Sequence, residues 1–473
     1  MQKCKVNDAV GTPLGGVMDE TRRLAEFCSS VTIDEMAPEV VNKAKLCVLD
    51  FIANVYGSLQ LEQVRDVVRY VEAMGTGGIA TALACGFMTT PQNAAFLNGV
   101  LAESIEAQDG VRFGGNHPVS AVLPAAFAVG GVYECGGRDL IEAIVSGYEA
   151  TNRVAASVHP FLTLSGFLPT GACGTFGAAV AAARMIDLDS EGILNALGNA
   201  GYMTPVSMAE DLMAGCTIKI VQGGQAASAG VTAAGLAAQG ITGHPKALEG
   251  SELGGGFTKI TLNNVDPVIS RITDGLGDSY SIMDVYFKPF TSCRHTHGAA
   301  QATLELVKEN DFTAADVKSV CVSTYMVANI ATGKGVPERG SFVSAQFSIP
   351  YVVSACLLDG EMGPGQLTTE RMRAPDIKEL IERVEVATDD ELNAMYPDKT
   401  ASRVEITLGD GRVLERQVDI PRGDPRVPMD EHDIEEKMRR FAGTKGLGKL
   451  DRIVEMVLAL EDLEKIRDLT ELI

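Results

Sequence analysis

Residues 219–240 read K-I-V-Q-G-G-Q-A-A-S-A-G-V-T-A-A-G-L-A-A-Q-G. After Gln222 the run is dominated by alanine and glycine. Small side chains let backbones approach closely, so this stretch is expected to be the central helix of a tightly packed bundle. Lys219 stands at its entrance. Burial there would lower the ammonium pKa and make it a plausible general base. A second segment, L-P-T-G-A-C-G-T-F-G-A-A-V-A-A-A-R (168–184), predicts another closely packing helix, with glycines at 171, 174 and 177. Its spacing fits neither a P-loop nor a dinucleotide fingerprint, so nucleotide chemistry lacks a phosphate loop.

The composition agrees with an Ala/Gly-rich bundle. The chain has 473 residues, 50 of them Gly, no Trp and only 5% aromatic side chains. Its length suggests two or three domains, and 46% hydrophobic residues can bury large cores. A net charge of −22 argues against nucleic acid or an anionic membrane surface as partner. An anionic substrate would therefore need a local basic pocket, for which Lys219, Lys288, Arg294 and the histidines are the stock. The ten cysteines form no C-x-x-C pair and sit among apolar neighbours, as reduced thiols do. Neither a signal peptide nor an apolar run long enough to span a bilayer is legible, which points to a cytoplasmic protein.

Along the chain, residues 1–17 read as a loose arm. Helical patterns follow from Asp19 to Cys28 and again from Thr32, where Thr32 and Glu35 have capping-box spacing. Short helices between Gln60 and Ile105 are broken at 75–78 and 89–91, and further helices cover 120–129, 138–158 and 188–201. After about Ser270 the pattern changes. Residues 317–325 alternate as a strand does, and 404–408 with 412–418 flank Gly409-Asp410-Gly411 as a hairpin. Helices after His297 and over 345–358 alternate with these strands, giving an α+β domain. From Asp430 the chain is again helical and is expected to rejoin the first domain. The expected division is 1–270 helical, 271–422 α+β and 423–473 helical.

Two loops carry the chemistry. Y-F-K-P-F-T-S-C-R-H-T-H-G-A-A (286–300) holds two of the six histidines, His295 and His297, beside Lys288, Cys293 and Arg294. It leads into a helix N-terminus, which favours negative charge, and histidine exchanges protons near neutrality. The second loop, E-S-I-E-A-Q-D-G-V-R-F-G-G-N-H-P (103–118), runs from acidic residues to His117-Pro118. Cys293 reads as a packing residue, and His244 and His432 as surface residues.

Taken together, H-P-V-S-A-V-L-P-A-A (117–126), L-P-T-G-A-C-G-T-F-G-A-A (168–179) and K-P-F-T-S-C-R-H-T-H (288–297) resemble the MmgE/PrpD family. P-E-V-V-N-K-A-K (38–45), the Lys219-led helix and A-Q-F-S-I-P-Y (345–351) strengthen the likeness, which spans nearly the whole chain. That family includes 2-methylcitrate dehydratase, cis-aconitate decarboxylase and iminodisuccinate epimerase. The resemblance implies a mainly α protein, with a large helical domain built from N- and C-terminal segments and an inserted α+β lid. It also implies a homodimer that needs no metal or organic cofactor. By position it assigns catalytic roles to His117, Lys219, His297 and Tyr351. Arg294, Lys288, His295, Asp109 and Gln222 then fall among substrate-binding residues, and Glu106 belongs to the same acidic stretch. Three departures stand out: Q-D-G-V (108–111) replaces Asp-Asp-Thr-His, Leu168 replaces a histidine, and Val221-Gln222 replaces Leu-His. His159 is a possible substitute for the histidine missing at 168.

What the resemblance implies is a lyase on a small di- or tricarboxylic acid, 2-methylcitrate dehydratase-like, working by proton abstraction next to a carboxylate. Such a reaction needs a base near a weak carbon acid and cationic donors around the enediolate. Lys219 and His297 would serve as base and acid, His117 as a positioning or protonating group, and Tyr351 as a hydrogen-bond donor. Epimerisation of a dicarboxylate, decarboxylation of a cis-aconitate type, and binding of a small acid without turnover are the alternatives.

Overall fold

The computed structural model describes residues 19–337, 340–443 and 447–473. The loose arm expected at 1–17 lies outside them. The Ala/Gly segment forms the helix Gln222–Ala238, preceded by a 3-10 turn, Thr217–Val221, that carries Lys219. Four helices surround it: Pro91–Glu103, Val119–Gly130, Pro169–Met185 and Ser190–Met203. Glycine is required at the contacts. A Cβ on Gly99 would lie 2.5 Å from the Gly224 Cα, and one on Gly230 would lie 2.5 Å from the Ala178 Cβ. A Cβ on Gly224 would overlap the Phe96 carbonyl. Gly224→Ala is therefore expected to destabilise the protein by about 1–3 kcal/mol through overpacking, read from chemical denaturation.

The chain returns to this bundle at its end. Helix Glu431–Ala442, opened by a reciprocal Asp430–Asp433 capping box, lies against Pro38–Ser58. Fully buried Lys437 joins them, donating to Asp50 Oδ1 at 2.5 Å and to the Ala107 carbonyl at 2.6 Å.

Between these segments lies an α+β unit with its own core, including Leu306, Val320, Val322, Val353, Val404 and Ile406. Its sheet runs Val384–Thr388, Val317–Thr324, Ser402–Leu408, Val413–Val418 in spatial order. The first pair is parallel and the other two are antiparallel. Helices His297–Glu309 and Ile349–Asp359 pack on it. A two-residue ladder, Gly110–Val111 with Val285–Tyr286, ties the loop before His117 to the strand before Lys288. The architecture is mainly α, with the inserted α+β unit expected from the sequence.

Three local expectations differ. Thr32 and Glu35 make no capping box, because Pro38, which cannot occupy a helix interior, becomes the first residue of the long helix. Between the breaks expected at 75–78 and 89–91, where a short helix was expected, the chain forms a hairpin, Ala80–Ala82 with Phe87–Thr89. The parallel strand Val384–Thr388 was not legible, since a half-exposed V-E-V-A-T run has little pattern of its own. No helix among the described residues is long and apolar enough to cross a membrane.

Candidate active site

Glu106 is the hub. It follows the C-terminus of helix Pro91–Glu103 in a left-handed turn, φ 55°. Its Oε1 accepts from Lys288 Nζ at 2.8 Å, its Oε2 from Lys219 Nζ, and its carbonyl from Lys288 again at 3.2 Å. Lys219 Nζ also lies 3.1 Å from Glu103 Oε1. Glu103 in turn accepts from the Gly223 amide at 2.9 Å and from the Gln222 side chain, at the positive end of the central helix. All four charged side chains are buried. One segment of the helical unit, the central helix entrance and the loop into the α+β unit therefore meet on two carboxylates.

This geometry overturns the expected pKa of Lys219. Burial alone lowers it, but Glu106 and Glu103 outweigh burial and raise the ammonium above its ordinary value. Lys219 is thus held as an ammonium and not as the free amine that a base requires. Burial also works against the charge of Glu106, yet Lys219, Lys288 and His117 keep it well below the usual carboxylate range. Glu103 is pushed up, by burial first.

The histidines are the neutral groups. Burial, then Lys288, depresses His117 to about 3. Its Nδ1 lies 2.5 Å from the Asp109 carbonyl. A carbonyl can only accept, so Nδ1 carries the hydrogen and Nε2 keeps a lone pair, 3.9 Å from Glu106 Oε1. His297 is buried, with a pKa well below the ordinary value through burial, Arg294 and Lys288. Its Nε2 lies 3.1 Å from the Ser292 carbonyl, and its Nδ1 faces Arg294 Nη1 at 3.5 Å. By the same reasoning its lone pair is directed at a cation. His295 is depressed to about 4 by burial, Lys288 and Arg294, and pairs with the Tyr325 hydroxyl.

The remaining residues divide. Lys288 and Gln222 join the cluster. Arg294 borders it through His297 and the Tyr286 ring, 5.0 Å away, while its guanidinium donates to the carbonyls of Arg422 (2.8 Å) and Pro421 (2.7 Å). The Asp109 carboxylate does not turn toward the lysines. It accepts from the Val119 amide at 3.1 Å and the Tyr148 hydroxyl at 2.6 Å, with burial raising its pKa to about 7. Tyr351 is also not brought in: its hydroxyl donates to the Gln366 carbonyl within the core. Leu168 is buried and packs beside Ser207, its amide donating to the Ser207 carbonyl at 2.7 Å. His159 lies beside Gly115 in the His117 loop, where its Nδ1 would be 3.2 Å from an added Cβ. The central missed residue is Glu103. Its signal was an acid closing an otherwise apolar helix. Tyr286 was missed as well; a side chain at Gly110 would collide with its hydroxyl and with His117.

Comparison with known proteins agrees with this architecture. Residues 22–269 match the MmgE/PrpD N-terminal domain and 290–462 the MmgE/PrpD C-terminal domain. The chain is 25% identical over 472 residues to cis-aconitate decarboxylase of Aspergillus terreus (strain NIH 2624 / FGSC A1156), covering 96% of this chain and 95% of that protein. It is 26% identical over 473 residues to cis-aconitate decarboxylase of Homo sapiens, with 96% and 94% covered. Identity is also 26% over 484 residues with the cis-aconitate decarboxylase-like protein oryM of Aspergillus oryzae (strain ATCC 42149 / RIB 40), 98% of each chain. With both of its domains matched in order along this two-part fold, the chain belongs to the MmgE/PrpD family.

Proposed function

We propose that the protein is a cofactor-independent lyase acting on a small di- or tricarboxylic acid through a carbanion next to a carboxylate. The observation that carries this reading is the pairing of opposite proton states across Glu106. Lys219 is held as an ammonium by two carboxylates, and His117 is held as a neutral imidazole with Nε2 free of its own hydrogen. A proton acceptor and a proton donor stand side by side, and a substrate carboxylate bound against His117 would raise its pKa toward the working range, so that the pair can take a proton from carbon and return one. His117 is the base in this scheme, Lys219 the acid and enediolate counter-charge, and Arg294 a carboxylate contact. The names of the relatives support decarboxylation as the bond-breaking step. Epimerisation needs two bases facing one carbon, and the His297 lone pair is directed at Arg294.

The test is proton NMR in D2O with citrate, 2-methylcitrate, cis-aconitate and iminodisuccinate. Deuterium entering an α-carbon supports the scheme, and the product names the bond broken; no exchange and no product with any acid sinks it. A pH profile gives a second check. A base depressed to about 3 stays unprotonated well below the usual histidine value. The acid limb of kcat/KM is therefore expected well below pH 6.5, with activity flat through neutrality, in contrast to an ordinary histidine base.

We also propose that the working form is a homodimer. Tyr202 and Leu253 are 93% and 98% exposed and, with Ile260, line a surface groove of about 780 Å³ that a second copy would cover. Sedimentation should give twice the 50.0 kDa chain mass, and Leu253→Asp should shift it toward monomer.

A further inference from the structure

The charges fixed in the site constrain the substrate more tightly than the lyase reading, on which this inference rests. Two cations, Lys219 and Lys288, meet two carboxylates there, Glu103 and Glu106, while Arg294 borders them through His297 and faces Asp424. Lys288 gives two of its three hydrogens to Glu106, and each terminal nitrogen of Arg294 gives one hydrogen to a carbonyl. The neighbouring Lys437 is matched by Asp50, and Lys43 donates to the Val285 carbonyl at 2.7 Å over the Phe287 ring. The histidines are neutral. The cluster is thus charge-balanced, and carries one net positive charge when Glu103 is protonated.

Uncharged hydrogen-bonding groups are in surplus by contrast. Gln222 Oε1, beside Glu103, is buried with no partner, as is Gln346 Oε1, whose amide nitrogen donates to the Ser104 carbonyl at 2.8 Å. Both Gln108 side-chain atoms, in the loop between Glu106 and Asp109, are equally unsatisfied. Buried polar atoms left so are costly unless a ligand or water completes them.

We propose that this site selects acids with one or two carboxylates and an uncharged hydrogen-bonding group, hydroxyl or amide, and discriminates against tri-anions. A third carboxylate would enter a buried site with no counter-charge left for it. A hydroxyl or amide would instead meet the unsatisfied glutamine oxygens.

The experiment is calorimetric titration of the full-length protein at pH 8, with citrate and cis-aconitate as tri-anions, malate and citramalate as hydroxy dicarboxylates, and succinamate as an amide acid. At least one of the last three should bind tenfold or more tighter than either tri-anion. Glu106→Gln frees Lys288, leaves Lys219 with Glu103 alone, and should raise citrate affinity relative to malate at least tenfold; Glu103→Gln serves if that variant does not fold. Tighter binding of citrate or cis-aconitate by the wild-type protein, or an unchanged citrate-to-malate ratio in the folded variant, overturns the proposal. Deuterium exchange into a tightly bound tri-anion would do so while leaving the lyase reading intact. No binding and no exchange with any acid would remove both.

Discussion

Lys219→Met is expected to lower turnover by about 10²–10⁴-fold, the range for loss of a positioned proton-transfer group, while the protein stays folded. The reason for expecting both lies in how the two glutamates are held. Glu106 would keep Lys288 at 2.8 Å, so its charge stays compensated. Glu103 would keep the Gly223 amide and the Gln222 side chain, and its pKa, already raised by burial, lets it take a proton. The loss of stability should therefore be modest, about 1–3 kcal/mol, even though a buried cation has gone. Turnover and circular dichroism melts on the same preparation check the two halves of the statement. A variant that melts like the wild type and turns over at an undiminished rate would remove Lys219 from the chemistry.

Asp50→Leu should have the largest effect on stability. It strands Lys437, a fully buried ammonium whose other hydrogen-bond partner is the Ala107 carbonyl, with the Phe441 ring 5.3 Å away. Breaking a buried pair by removing one partner costs about 3–5 kcal/mol. Burial already pushes the Lys437 pKa down and that of Asp50 up, so each group depends on the other for its charge. The double variant Asp50→Leu with Lys437→Met should recover most of the loss, since it replaces the pair with apolar volume. Urea denaturation of the four proteins in the cycle gives the coupling directly. Simple additivity of the two single losses would mean that the pair does not act as one unit. Because Lys437 also holds Ala107, next to Glu106, Asp50→Leu should reduce activity as well.

The helical bundle was legible because its pattern is local. Residues 222–238 can pack only where backbones touch, and the hairpin around Gly409-Asp410-Gly411 announces itself by its turn. The strand Val384–Thr388 was not, because its pairing with 317–324 is settled by distant chain. The site divides on the same principle. His117, Lys219, Lys288 and His297 were identifiable as residues, but the proton state of Lys219 depends on Glu103 and Glu106, more than a hundred positions away. Reading burial alone gave the wrong direction for that lysine. Tyr351 and Asp109 were placed by motif position, yet a single backbone carbonyl and a helix amide decide where their oxygens point.

The close-packed central helix has a consequence for how such an enzyme can diversify. Gly223, Gly224 and Gly230 each face atoms that leave no room for a Cβ, so the packed face of the helix is closed to variation in size. Its entrance is not. Val221 and Gln222, with Glu103 opposite, can change shape and hydrogen bonding beside Lys219 without moving the bundle behind them. New specificities are therefore most accessible to selection at the mouth of this helix, where paired exchanges at 103 and 222 would retune the pocket while the scaffold stays as it is.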